Sequence, residues 1–72
     1  MAEDNKKLIV EKLMKLIKQT REGKAIENIA YKKGDGDDEF VYIYFLNGYT
    51  KKIDVTADSG IAMMRDILER IR

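Results

Sequence analysis

Four carboxylates in five positions, Asp35, Asp37, Asp38 and Glu39, form the densest group of chemically capable side chains in this sequence. Such a group can bind calcium, stand in for a row of phosphates, or meet a basic groove on another protein. Calcium fits least well. The twelve-residue calcium loop runs to a closing glutamate between two helices, whereas strands are expected on both sides here. The plainer reading is a solvated hairpin loop whose charges keep the adjoining strand soluble. A second group is cationic: Lys6, Lys7, Lys12, Lys15, Lys18, Arg21 and Lys24 can face a phosphate backbone or simply make a wet helix face. A third is aromatic. Tyr31, Tyr42, Tyr44 and Tyr49 can stack on bases, or sit in the core or at its edge with their hydroxyls toward water.

What is missing narrows the chemistry further. The chain has no histidine and no cysteine, so disulfides, thiolate metal sites and the commonest general base are absent. Ser59 is the only serine, and no histidine is available to take its proton. We therefore expect no enzyme and assign no catalytic residue, no cofactor and no metal. The 72 residues are read as one small domain, 1–72. A chain of that size buries only about 60% of the surface exposed when it is unfolded, so its core is marginal.

Lysine and arginine number 14 against 13 acids, net +1, which gives no global field toward polyanions. The halves differ: residues 1–33 carry nine bases and five acids, residues 34–72 five bases and eight acids. The acidic start, Met1-Ala2-Glu3-Asp4-Asn5, lacks the order of a secretion signal, and a cytoplasmic location is expected. The longest apolar run is seven residues, 40–46, far short of the roughly 20 needed to span a membrane.

These groups must be positioned by a small set of elements. Over residues 5–22, Ile9, Val10, Leu13, Met14, Leu16 and Ile17 share one side of a 3.6-residue period, which predicts an amphipathic helix capped by Asp4 or Asn5 and ended by Gly23. A strand follows at about 24–33, and the glycines and aspartates of 34–38 make a connecting loop. Two more strands flank Asn47-Gly48. Thr56 or Asp58 is expected to cap a second helix that carries Ile61, Met64, Ile67, Leu68 and Ile71 on its inner stripe. Gly60 suggests close backbone contact. The fold class is thus α+β: helix, three-stranded antiparallel meander, helix, in one small αβββα domain.

Asn47-Gly48 predicts a two-residue hairpin turn, which pairs Leu46 with Tyr49, Tyr44 with Lys51, Tyr42 with Ile53 and Phe40 with Val55 on one face. That face, rich in strand 3 apolar residues, is assigned to the helices, with Lys51 reaching past the core on its stem. The other face then exposes Val41, Ile43 and Phe45, and the 34–38 loop places Ile29 and Tyr31 beside them. An exposed apolar strip of this kind marks a partner surface or a homodimer interface. The alternative is that the helices cover both faces, or that the strand 1 register differs by one and reverses the assignment.

The order helix, three strands, helix resembles the double-stranded RNA-binding domain over the whole chain. The resemblance implies lysines at the start of the second helix that grip phosphates, and a first interstrand loop that enters a minor groove. Here the stretch Thr56-Ala57-Asp58-Ser59-Gly60 holds no cation, and residues 34–38 would bring negative charge to RNA. Nucleic acid is therefore not the expected partner. The short chain, the helix with three strands and the acidic loop are also similar to small phage-encoded inhibitors of CRISPR nucleases. That similarity implies a non-enzymatic inhibitor of a nucleic-acid-handling protein.

The function expected is a protein-binding module of that kind. Asp35, Asp37, Asp38 and Glu39 would mimic phosphates, while Ile29, Tyr31, Val41, Ile43 and Phe45 would supply apolar contact. The alternatives are a double-stranded-RNA-binding-like module and a homodimeric structural or regulatory protein.

Overall fold

A computed structural model describes residues 4–71. Helix α1 spans Lys6–Ile17 and a short 3-10 turn spans Glu22–Ala25; strands β1, β2 and β3 span Ile26–Lys33, Glu39–Phe45 and Thr50–Asp54; helix α2 spans Gly60–Ile71. The strands form one antiparallel sheet in the order β1-β2-β3. The αβββα meander is thus the observed architecture.

Asn5 caps α1, its side chain accepting from the Leu8 N–H at 3.1 Å. The helix ends at Ile17, well before Gly23, because the Thr20 hydroxyl donates to the Ile17 carbonyl and accepts the Gly23 N–H at 2.9 Å. At α2 the cap is Ser59, whose hydroxyl accepts the Ala62 N–H at 3.2 Å, in place of Thr56 or Asp58. Gly60 is the first residue of that helix, and the expected close contact is there: a side chain at Gly60 would meet Ile9 Cδ1 at 2.8 Å.

The hairpin between β2 and β3 departs from expectation by one residue. A two-residue turn of the predicted kind needs positive φ at both Asn47 and Gly48. Among the described residues no non-glycine has positive φ, while Gly48 has φ 90°. The Gly48 N–H instead closes a turn on the Phe45 carbonyl at 3.0 Å, and Phe45 N–H donates to the Tyr49 carbonyl at 2.8 Å, so Leu46, Asn47 and Gly48 form a three-residue loop. This is a type I turn followed by a left-handed glycine, the next commonest way to close a hairpin. Val41 consequently pairs with Ile53, Tyr42 with Lys52 and Phe40 with Asp54.

A one-residue slip sends every side chain of a strand to the opposite face. The β3 assignment survives: Ile53 and Val55 are buried, and Lys51 reaches past the core to donate to the Arg70 carbonyl at 2.8 Å. The β2 assignment reverses. Val41 and Ile43 are fully buried, Ile29 nearly so, and Val10 and Ile17 of α1 pack with Met63 and Ile67 of α2 over them. The β1 register is the expected one, with Ile29 beside Ile43 and Tyr31 beside Val41. Both helices therefore cover one face and the other is left open. The exposed strip of Ile29, Tyr31, Val41, Ile43 and Phe45 does not exist: these residues line the helix-covered face, Tyr31 and Phe45 at its half-buried margins.

The helices are also rotated from their expected stripes. Met63 is fully buried, whereas Leu16, Ile61 and Leu68 face outward.

Candidate binding surface

The open face is built from alternate residues of the three strands: Ala30 and Lys32 of β1, Phe40, Tyr42 and Tyr44 of β2, and Thr50, Lys52 and Asp54 of β3. The Tyr42 and Tyr44 rings are nearly parallel, with centroids 6.3 Å apart. Lys52 Nζ lies 4.2 Å from the centre of the Phe40 ring, and Lys32 Nζ lies 5.4 Å from that of Tyr42. Each contact of this type contributes about 0.5–1 kcal/mol at an exposed site. The lysine stems also cover ring surface, which explains why the three aromatics are half-buried although no helix lies over them.

One end of this aromatic row meets the loop at 34–38. The Gly34 N–H closes the loop on the Asp38 carbonyl at 2.8 Å, and the ring of Phe40 packs close to Gly34. Asp35, Asp37 and Asp38 are exposed at the tip. Glu39 does not belong with them. It opens β2 on the helix-covered side, where its carboxylate accepts from Lys6 Nζ at 2.8 Å and from the Tyr31 hydroxyl. Those two hydrogen bonds, the lysine's first, hold the Glu39 carboxyl below the usual glutamate range. Burial, with the hydrogen bond to Glu39 and its charge, pushes the Tyr31 hydroxyl up to about 12. Lys6 also donates to the Val55 carbonyl at 2.8 Å, so it is withdrawn from the cationic face of α1. Lys7, Lys12, Lys15 and Lys18 remain exposed there.

The other end of the row reaches the 46–48 turn, where Leu46 and Tyr49 are exposed and the Tyr49 ring lies 6.0 Å from that of Phe45. The start of α2 is acidic, as its sequence implied. Asp4 accepts the Gly60 N–H at 2.6 Å, and Asp58 and Asp66 lie against each other. Among the described residues, no three acidic side chains converge as metal ligands. No described helix is long and apolar enough to cross a membrane.

The structure thus keeps three of the four loop acids together at an exposed tip and sets beside them three rings, Phe40, Tyr42 and Tyr44, that sequence reasoning had turned inward. The missed members are Phe40, Tyr42, Tyr44, Lys32 and Lys52. A signal for them was present: Val41, Ile43, Ile53 and Val55 are the branched aliphatics of β2 and of the stretch that begins at β3, and placing all four on one face requires the observed register.

No protein-family model matches the chain, and neither does any curated protein or solved structure.

Proposed function

We propose that this protein is a non-enzymatic binding module that takes a protein partner on the open face of its sheet, with the Asp35, Asp37 and Asp38 tip set against a basic patch of that partner. The observation that carries the reading is the outward row Phe40, Tyr42 and Tyr44 on the one sheet face without a helix, running from the acidic tip. Tyrosine is among the residues that concentrate binding energy at protein interfaces, where a rigid ring supplies apolar area and a hydroxyl supplies a hydrogen bond. The tip supplies electrostatic complementarity, which sets orientation and on-rate.

A nucleic-acid-handling protein matches both halves of this surface. Its groove offers cations for phosphates and flat apolar shelves for bases, and here carboxylates take the first place and aromatic rings the second. Inhibition by occupying that groove, in the cytoplasm, is the activity that follows. Direct binding of RNA is opposed by the three exposed aspartates and by the carboxylates at the start of α2, since phosphate contacts supply most of the affinity in such complexes.

The test uses tagged wild type, Tyr42→Ser/Tyr44→Ser and Asp35→Asn/Asp37→Asn/Asp38→Asn as baits in nuclease-treated cell extract. A discrete protein retained by the wild type and reduced at least tenfold by both variants, with circular dichroism unchanged, is the expected result. Equal retention by all three baits, or retention that nuclease abolishes, refutes the reading.

A further inference from the structure

The turn that joins β3 to α2 carries a second arrangement, independent of the binding surface. Asp58 sits in that turn, its N–H donating to the Val55 carbonyl at 3.1 Å. Its side chain packs inward, and Oδ2 is buried without a hydrogen-bond partner among the described residues. A carboxylate oxygen left so is costly, because desolvation is not repaid by a donor.

The donors nearby are already engaged. Lys6 of α1 gives its ammonium to Glu39 of β2 and to the Val55 carbonyl, both at 2.8 Å. The Gly60 N–H goes to Asp4, ahead of α1. Lys6 of α1 and Arg65 of α2 act on Asp58 through charge alone, and the side chain with the largest influence on it is a second carboxyl, Asp66 of α2, through a hydrogen bond.

We propose that the Asp58 carboxyl keeps a proton and donates it to Asp66, and that this proton latches the β3–α2 turn onto the first turns of α2, making the start of that helix a pH-sensitive joint. With the proton present, one carboxyl donates to the other and the orphaned oxygen is satisfied. With it lost, two carboxylates face each other in a partly desolvated site, and the turn is pushed away from the helix. The hydrogen bond to Asp66 and burial both raise the Asp58 carboxyl above its ordinary value. The folded chain therefore binds more protons than the unfolded one, and stability falls as pH rises through the raised midpoint.

Denaturant unfolding of wild type, Asp58→Asn and Asp66→Asn from about pH 4 to 8 tests this, spanning the range above ordinary aspartate titration. The wild-type midpoint should drop as pH rises, and Asp58→Asn, whose amide donates to Asp66 at every pH, should lack that drop. Carboxyl carbon NMR of the wild type gives a readout that needs no variant: Asp58 should titrate above the ordinary aspartate value, and Asp66→Asn should lower it. An Asp58 that titrates in the ordinary range, or an Asp58→Asn variant with the wild-type pH slope, overturns the proposal.

Discussion

The two faces of the sheet share every strand yet are made of different chemistry. Along β2, Val41 and Ile43 point under the helices and lie at 0% exposure, while Tyr42 and Tyr44, each one residue on, point to the open side and are half-buried. Branched aliphatics fill the covered face because they pack against a pleated surface with few rotamers to lose. The open face instead uses rings clamped by lysines, so that apolar area is shielded without being sealed. Fold stability thus rests on alternate residues of one strand, and under the proposed reading partner contact falls to the residues between them, so that either can change with limited effect on the other.

Stability measurements separate the faces most sharply. Ile43→Ala removes a fully buried side chain and should cost about 3–4 kcal/mol. A domain of this size has a total stability of about 4–10 kcal/mol, so the variant should be close to unfolding. Tyr42→Ser on the open side should cost less than about 1 kcal/mol. Urea denaturation of both variants checks this, and similar losses would dissolve the distinction between the faces.

The polar corner where α1, β1, β2 and the end of β3 meet gives an intermediate effect. Lys6→Met leaves the Glu39 carboxylate and the Val55 carbonyl without their shared donor and should cost about 2 kcal/mol. The pH dependence has a definite sign. Glu39 is held below its ordinary value, so its contribution is present above the usual glutamate range and is lost as pH falls through its lowered midpoint. Lys6→Met should therefore narrow its gap from wild type in acid. Tyr31 has the opposite sense: its neutral form is favoured by the fold, and its contribution is complete below the ordinary tyrosine value and is lost as pH rises from there through about 12. An ultraviolet titration should find one tyrosine ionising there.

Element order, the β1–β2 register, the Asn5 cap and the close contact at Gly60 were all legible in the residues, because each follows from local propensity or from a loop of clear length. The β2 parity was not, and the reason is physical. Asn-Gly closes a two-residue loop with positive φ at both residues, or a three-residue one that takes in Leu46 and needs positive φ at Gly48 alone. The packing preference of Val41, Ile43, Ile53 and Val55 decides between them, since the two-residue loop would leave Val41 and Ile43 exposed. Four branched aliphatics outweigh one turn signal. The candidate site was accordingly half legible: Asp35, Asp37 and Asp38 stay at the exposed tip, whereas Glu39 left it for Lys6, a partner 33 positions away that no local pattern reveals. Gly48→Ala probes the turn itself. Forcing a side chain into φ 90° should cost about 1 kcal/mol without moving the register, because the aliphatic pairing holds it. A register change, seen as altered cross-strand contacts in NMR, would mean that the turn rules the packing.

The smallest stability effect is expected at the acidic tip, and its smallness is informative. Asp35, Asp37 and Asp38 are exposed, and none of their side chains has a hydrogen bond or ion pair among the described contacts. Three aspartates within four positions repel one another, so replacing all three with asparagine should change stability by no more than about 0.5 kcal/mol, and toward stabilisation at low salt. If instead the triple variant lost a kilocalorie or more, the tip would be holding the β1–β2 loop in shape, and any loss of partner capture by that variant would reflect a damaged loop. If stability is unchanged, a loss of capture reports contact alone. The contrast with Ile43→Ala then becomes a double dissociation: the covered face sets whether the chain folds, and the tip sets only what the folded chain meets.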